Sequence, residues 1–330
     1  MSGPAATKRT AEVREELGPA LERYRAELTG YCYRMLGSSA DAEDAVQETF
    51  LRAWRRFDQF EGRSSLRSWL YRIASNVCFD SLGSRQRRAR PMDLTGPGAV
   101  DGELAMLPES AWIEPVPDGR VVPADADPAE QAVARESLRL AFVAALQHLP
   151  PRQRAVLILR EVLRWEASEV AELLDTTVAS VNSALQRARA SLDAKDVSSE
   201  ATDPLSDEQE ALLARYVEAF QRYDMESLTS LLHEDATQTM PPYTLWLRGR
   251  NDILSFWAGP GARCRGSRLI PTAANCLPAW GQYRPRESGE GYEPWALMVL
   301  RLDEDEIVEL TFFLETERLF PVFGLPPELS

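Results

Sequence analysis

Long apolar runs, histidine and paired cysteines are what this 330-residue chain lacks. No stretch is apolar for long enough to span a bilayer, which argues against a helical membrane protein. The opening residues, Met-Ser-Gly-Pro-Ala-Ala-Thr-Lys-Arg-Thr, carry no apolar core, so the expectation is no secretory signal and a cytoplasmic location. His148 and His233 are the only two histidines, too few for much histidine chemistry. Cys32, Cys78, Cys264 and Cys276 are scattered with no C-x-x-C pair, so a reduced protein with no metal and no cofactor is expected. Proline occurs only once in residues 17–90, at Pro19, which leaves several helices uninterrupted there.

The net charge of −14 looks wrong for a nucleic-acid binder until it is divided. Residues 1–90 hold 16 Lys/Arg against 12 Asp/Glu, and residues 91–132 hold 1 against 9. Residues 133–199 hold 9 against 8, and residues 200–330 hold 11 against 22. The basic surplus lies at the front, and contact with DNA depends on such local patches rather than on global charge.

Residues 39–57 are the most informative stretch. Ala42, Ala45, Val46, Thr49, Phe50, Ala53, Trp54 and Phe57 recur at steps of three and four, which predicts one apolar helical face. Asp41, Glu43 and Asp44 fall in the first turn, where the helix dipole favours negative charge. A polar loop with Gly62 follows, and then a second helix whose core face is Leu66, Leu70, Ile73, Val77 and Leu82. Arg63, Arg67, Arg72, Arg85, Arg87, Arg88 and Arg90 alternate with Phe60, Trp69 and Tyr71. Rings stack on bases and guanidinium groups pair with phosphates, so this mixture suits single-stranded DNA. The ordinary alternative places Trp69 and Tyr71 in a core.

Residues 91–132 hold seven Pro, four Gly and nine acids, the composition of a linker without regular structure. Residues 133–193 are helical again. Pro150 and Pro151 open a helix to about Leu163; Ala167–Leu174, a turn at Asp175-Thr176-Thr177 and a longer helix Val178–Leu192 follow. A short helix, a turn and a longer helix form a helix-turn-helix, whose second helix enters the major groove. Its exposed face would carry Thr177, Ser180, Asn182, Ser183, Gln186, Arg187 and Arg189, able to read base edges or hold phosphates. Residues 194–206 are a second, polar linker. From 207 the pattern changes to helices at about 207–221 and 224–232, then short β-rich runs with a helix near 250–257 between them. The strand expectations are Thr237–Met240, Thr244–Leu247, Arg268–Ala273, Trp295–Leu302 and Ile307–Leu314 in a curved antiparallel sheet. The fold class is therefore multidomain: two all-α helical domains (17–90 and 133–193) and a C-terminal α+β cone domain (207–330).

Three stretches together resemble the extracytoplasmic-function (ECF) class of bacterial sigma-70 RNA polymerase sigma factors. They are Asp-Ala-Glu-Asp-Ala-Val-Gln-Glu-Thr-Phe-Leu-Arg-Ala-Trp, Leu-Arg-Ser-Trp-Leu-Tyr-Arg-Ile-Ala-Ser-Asn-Val-Cys-Phe-Asp, and Leu-Pro-Pro-Arg-Gln-Arg-Ala-Val-Leu with the helix-turn-helix after it. The resemblance covers about residues 17–192. It implies that Asp41, Glu43, Asp44, Gln47, Glu48 and Leu51 dock on the β′ clamp of core RNA polymerase. It assigns Phe60, Arg63, Ser64, Ser65, Arg67, Trp69, Arg72 and Asn76 to the promoter −10 element. The helix-turn-helix is assigned to the −35 element, resting on the β flap. The acidic linker would thread towards the active centre, anchored by Trp112-Ile113-Glu114-Pro115.

Phe220-Gln-Arg-Tyr-Asp224 through Leu231-Leu232-His233-Glu234-Asp235-Ala236 is similar to the start of SnoaL-like cone domains, relatives of polyketide cyclases and ketosteroid isomerases. The Asp-Gly-Gly-Gly-Lys loop that some sigma factors with such a tail carry is absent. Met240, Tyr243, Trp246, Trp257, Trp280, Trp295, Met298 and Phe312 are candidates to line its interior, and His233 and Asp235 are the nearest candidates for a general base. The expectation is no enzyme but a regulatory module, with an anti-sigma factor or a small-molecule ligand as conceivable partners. Two alternatives stand beside the sigma reading: a ligand-responsive helix-turn-helix regulator acting without polymerase, and a sigma factor fused to an isomerase or cyclase.

Overall fold

In the computed structural model, which describes residues 17–60, 62, 64–83, 87–122, 128–193 and 205–330, the helical front becomes α1 (Arg25–Leu36), α2 (Ser39–Arg56) and α3 (Leu66–Leu82). Each boundary has a local cause. α1 ends where Gly37 turns left-handed at φ 71° and its amide bonds back to Tyr33. One residue later the Ser38 hydroxyl accepts from the Asp41 amide at 3.1 Å and starts α2. Ser65 caps α3 in the same way, accepting from the Ser68 amide at 3.0 Å. The three helices bury Leu28, Tyr31, Met35, Val46, Leu70 and Val77, and Tyr31 and Ser75 share a 2.7 Å hydrogen bond inside that core.

One residue of the predicted stripe is elsewhere. Trp54 is 42% exposed. Ala42, Ala45, Val46, Thr49 and Ala53 centre the buried face of α2, and Trp54 lies well round the helix from that centre, on the side of Gln47 and Leu51.

The chain divides into two units, Met1–Arg87 with Ile113–Ala201 and Arg88–Trp112 with Thr202–Ser330. The linker is thus split between them and is not a structureless tether. In the first unit, Glu114 is 3% exposed: its amide donates to the Gly37 carbonyl, its carbonyl accepts from the Tyr33 hydroxyl, and its carboxylate accepts from the Ser38 hydroxyl at 2.7 Å. The short α4 (Asp118–Val121) then crosses α1 at Gly30, where a Cβ would come 2.9 Å from the Val121 carbonyl oxygen. Helix resumes at α5 (Pro128–Glu136), before the expected boundary at 133, and continues as α6 (Leu140–Leu146).

α7 (Pro151–Leu157) carries on as a π-helical turn over Ile158–Val162, and α8 (Ala167–Leu173) and α9 (Val178–Asp193) form the predicted helix-turn-helix. Asp175 turns between them at φ 50°, and Val170, Ala171, Leu174, Val181 and Leu185 form the internal core. Two buried arginines join these helices to the front three. Arg34 donates to the Ser137 hydroxyl at 2.9 Å and the Ala134 carbonyl at 3.1 Å. Arg154 donates to the carbonyls of Met35, Gln147 and Leu149 and to the Gln147 amide oxygen. Burial pushes the Arg154 pKa down to about 10.

The second unit contains α10 (Asp207–Arg222), α11 (Met225–Leu231), β1 (Leu232–Thr239), β2 (Trp246–Arg248), α12 (Arg250–Ala258), β3 (Arg268–Ala274), β4 (Leu277–Pro285), β5 (Tyr292–Asp303), β6 (Glu306–Phe313) and α13 (Thr316–Val322). Ser206 opens α10 with a capping box to Gln209, as the sequence predicts. The six strands run in the order β2-β1-β6-β5-β4-β3. Two expectations are corrected. β1 and β6 pair parallel, so the sheet is mixed rather than antiparallel. β4, hydrogen-bonded to both β3 and β5, has no counterpart among the predicted strands, because Pro278, Gly281 and Pro285 break its β signature. Gly281 has a packing reason: a Cβ there would approach the Leu325 side chain at 2.8 Å.

Replacing Arg154 by Met keeps the volume but leaves the carbonyls of Met35, Gln147 and Leu149 without their donor. Urea denaturation should show a loss of about 2–4 kcal/mol, the cost of unsatisfied buried acceptors, whereas a Glu114→Gln variant should lose under about 1 kcal/mol.

Candidate nucleic-acid interface

The outer edge of α2 separates into bound and open groups. Glu43 pairs with Arg25 at 3.2 Å and Arg120 at 3.7 Å, and Glu48 pairs with Arg52 at 2.7 Å. Asp44 and Gln47 are exposed, Leu51 is 51% exposed, and Asp41 is half-buried at the helix start. Trp54 continues the Gln47–Leu51 strip. The periodic stripe places Trp54 with the core residues; its angular distance round the helix from Ala42, Ala45 and Ala53 is the signal that sets it apart.

Around α3 the rings and charges sort by depth. Trp69 is half-buried, tilted against Phe60 at 5.0 Å and edge-on to Phe57 at 6.4 Å, and those two rings stack on each other, forming an aromatic knot beside the 58–65 loop. Ser64, Ser65 and Asn76 reach the surface. Arg63 and Arg85 lie outside the described residues. Tyr71 is fully buried and donates to the Glu27 carboxylate at 2.9 Å, so its expected role beside DNA is replaced by a core one. Arg67 donates to the same carboxylate and lies over the Trp165 ring at 5.0 Å. Arg72 donates to the Glu172 carbonyl at 2.9 Å. Two cations of the predicted −10 set are therefore engaged by the segment leading into α8 and by α8 itself.

The basic tail of the front domain is also used internally. Arg87 donates to His148 Nδ1 at 2.7 Å, and Arg88 is buried, donating to the carbonyls of Trp112 at 2.7 Å and Glu109 at 3.1 Å. Arg90 pairs with Asp93. None of these three presents a guanidinium given over to phosphate.

On α9, Asn182, Ser183, Gln186 and Arg187 are exposed along one side. Thr177 and Ser180 spend their polar groups on the cap, the Ser180 amide donating to the Thr177 hydroxyl at 3.1 Å. Arg189 pairs with Glu161 at 2.6 Å, so it braces α9 against the π-helical turn. The group that remains aimed outward, Asn, Gln and Arg at helical spacing, can form bidentate contacts to adenine and guanine edges.

The C-terminal interior is filled by its own side chains. Trp257, Trp280, Met298 and Phe312 are buried with Tyr216, Phe220 and Leu300. Their polar atoms satisfy one another: Trp257 Nε1 donates to Gln238 at 2.7 Å, and the Tyr216 hydroxyl lies 3.3 Å from Met298 Sδ. Met240 and Trp295 pack at the margin of that core. Tyr243 and Trp246 are not part of that cluster: the Tyr243 backbone pairs with that of Met106, and Trp246 Nε1 donates to the Thr95 carbonyl. His233 and Asp235 sit on β1 with their side chains 39% and 62% exposed, beside Glu306 and Arg248. An open groove of about 420 Å³ lies between α10 and Trp280, and its acid, Glu218, is paired with Arg222 at 2.7 Å. Among the described residues no helix is long and apolar enough to cross a membrane.

Comparison with known families places these elements. Residues 20–88 match Sigma-70 region 2, residues 139–192 match Sigma-70 region 4, and residues 213–310 match the SnoaL-like domain. The chain is 46% identical over 325 residues to the ECF RNA polymerase sigma factor SigG of Mycobacterium tuberculosis, spanning 96% of this chain and 86% of that one. It is 31% identical over 248 residues to the ECF RNA polymerase sigma factor SigJ of the same organism, covering 72% and 71%. The crystal structure of SigJ superposes with a TM-score of 0.58 at 23% identity, covering 96% of this chain and all of that one, and so shares its fold.

The filled interior makes one pH prediction. Burial pushes the phenols of Tyr223 and Tyr283 up to about 12. The fold favours their neutral form, so the stability they add is present below their ordinary value near 10 and is lost as pH rises toward about 12. Urea denaturation across that window should show Tyr223→Phe and Tyr283→Phe variants each losing less stability with pH than the parent chain.

Proposed function

The chain belongs to the ECF class of RNA polymerase sigma factors with a SnoaL-like C-terminal domain, and from that premise we propose how its surfaces divide the work. An ECF sigma factor binds core RNA polymerase and promoter DNA and directs transcription initiation. Asp44, Gln47, Glu48, Leu51 and Trp54 form the edge that docks on the polymerase clamp, with Asp41 and Glu43 shaping its N-terminal end. The observation that carries this assignment is an apolar pair, Leu51 and Trp54, left exposed between the acidic first half of the helix and its basic last turn. Exposed rings rimmed by charge are what an anchored protein interface uses.

Phe60, Arg63, Ser64, Ser65, Arg67, Trp69, Arg72 and Asn76 take the −10 element. The Phe57–Phe60–Trp69 knot offers a stacking platform worth about 1–3 kcal/mol per base, enough to offset the unstacking cost of one flipped nucleotide. Asn182, Ser183, Gln186 and Arg187 take the −35 element, with Thr177, Ser180 and Arg189 fixing the helix that carries them. Reading both elements at once also requires the first unit to open. By their nominal positions the elements lie about 25 base pairs apart, or roughly 85 Å of duplex at 3.4 Å per pair. α3 and the α8 segment touch through Arg72 and Glu172, and through Tyr71 and Trp165 at 5.0 Å. Opening frees Arg72 for DNA and lifts Trp165 off Arg67, which keeps Glu27 as a partner.

The C-terminal domain acts without catalysis, as a regulator. What supports this is that His233 and Asp235 are exposed on β1 rather than inside the cone, whose core is filled by Trp257, Trp280, Met298 and Phe312. A base open to solvent lacks the enclosed site in which a substrate is held within reach of it and shielded from water.

Run-off transcription with core polymerase tests the whole reading. A transcript is expected from a cognate promoter; none from any promoter, with tight binding of duplex DNA alone, would favour a regulator that acts without polymerase. Trp54→Ala should weaken polymerase affinity about tenfold with the melting temperature unchanged. Arg187→Ala or Gln186→Ala should cost about 1–3 kcal/mol in discrimination at one −35 position, read by competition between promoter variants. Truncation after Ser199 should change transcription and its dependence on salt, since the removed domain carries an acidic surplus.

A further inference from the structure

The acidic stretch between the two DNA-reading domains has a seat of its own. Residues 88–112 belong with the C-terminal domain, so the chain leaves the first unit after Arg87 and returns to it at Ile113. The excursion is closed at its neck. The Ala89 amide donates to the Ala111 carbonyl at 2.8 Å, Ala89 pairs with Trp112, and Arg88 holds the Trp112 carbonyl.

The body of the loop is fixed by main-chain bonds to the segment 242–246. The Gly98 amide donates to the Trp246 carbonyl at 2.8 Å, and the Leu107 amide donates to the Pro242 carbonyl at 3.1 Å. The Thr244 amide donates to the Ala105 carbonyl at 2.9 Å, while the Thr244 carbonyl accepts from the Thr95 hydroxyl at 3.2 Å. Both arms of the loop thus meet at one residue of the domain. Glu109 reaches Arg318 at 3.2 Å. Burial opposes the charge of Arg90, but the Glu309 and Asp93 carboxylates outweigh it and hold its pKa above the usual arginine value. The fit is close at Gly98, where a Cβ would fall 2.3 Å from Leu245 Cδ1. Leu94, Leu104 and Met106 nevertheless remain 43–61% exposed on the seated loop.

We infer that the C-terminal domain is a receptor for this chain's own linker, and that core polymerase competes with the domain for residues 91–112. Main-chain pairing on both arms, the Glu109–Arg318 ion pair, the charge of Glu309 acting on Arg90 and a closed neck describe a built peptide-binding surface rather than a resting tether. The apolar residues left exposed on the loop supply the surface by which a competitor begins to displace it. The domain would then restrain initiation by holding back a segment, with no ligand required. The competition rests on the function proposed above; the seat does not.

Hydrogen exchange and run-off transcription on the full chain test both parts. A loop-side pair, Gly98→Val with Glu109→Arg, leaves the domain core untouched. It should speed exchange of the Leu107 and Thr244 amides at least about tenfold while amides of β4 and β5 stay protected. Adding the domain-side pair, Leu245→Ala with Arg318→Glu, restores room and charge and should bring both amides back to within about threefold of the parent. At limiting polymerase the loop-side pair should raise transcription about threefold to tenfold, and the four-fold variant should return it toward the parent. Unchanged exchange at Leu107 in the loop-side pair overturns the seat, as does failure of the rescue with β4 and β5 still protected. Faster exchange with unchanged transcription overturns the competition alone. A parent chain that directs no transcription overturns the sigma reading, and the exchange data still decide the seat.

Discussion

Two buried guanidinium groups hold the first unit together, and the rest of that unit follows from how they are satisfied. Arg34 and Arg154 are each 3% exposed. The partners of Arg154 are carbonyl oxygens and the Gln147 amide, among them the Met35 carbonyl at the C-terminal end of α1. A helix C-terminus leaves its last carbonyls without amides and carries partial negative charge, so a cation docked there offsets part of its own desolvation. The Gln147 amide nitrogen donates in turn to the Arg34 carbonyl at 3.3 Å, closing the network. An apolar residue could not substitute, because the acceptors belong to the backbone and would remain.

That clasp explains why the DNA-facing cations are found where they are. With α1 bound to α7, α3 is brought against the segment entering α8, and Arg67 and Arg72 find partners there instead of solvent. Each of those contacts is individually weak. Arg72 is paired with Glu172 through exposed side chains, and a cation over a ring at such a site is worth roughly 0.5–1 kcal/mol. The surface contacts can therefore yield to phosphates, while the buried clasp sets the cost of parting the domains. The strong interactions define the closed form, and the weak ones are those that DNA exchanges.

The sequence made much of the first unit legible because its signals are local. Ser38 and Ser65 cap helices within three residues of themselves, and the turn at Asp175 lies between two periodic runs. The features that escaped are long-range. Leu-Pro-Pro-Arg-Gln-Arg reads as a helix start, but nothing local says that Arg154 crosses to α1. β4 hides because its prolines and Gly281 argue against a strand, while its two neighbours supply the pairing that overrides them. Parallel pairing of β1 with β6 depends on residues about seventy positions apart. Of the candidate site, residue types and faces were legible; which acids and cations were already spent on each other was not. The loop at 88–112 is the extreme case: its composition is that of a solvated tether, and its seat is made by carbonyls of residues 242–246, which carry no side-chain signal.

Charge gives that seat an unusual salt response. The seated loop and the C-terminal part of the chain are both acidic, with 4 Asp/Glu and no Lys/Arg in residues 91–112 and 22 against 11 in residues 200–330. Bulk electrostatics therefore oppose the association, and what holds it is short-ranged: backbone hydrogen bonds, the half-buried Arg90 with the charge of Glu309 acting on it, and Arg318 with Glu109. Salt screens the long-range repulsion over a Debye length of about 8–10 Å but leaves hydrogen bonds at contact largely intact. Raising the ionic strength should then tighten the loop on its domain. The same salt weakens binding to DNA, because phosphate contacts depend on counterion release. Both effects lower initiation, so the full chain should fall more steeply with salt than a chain whose loop cannot seat.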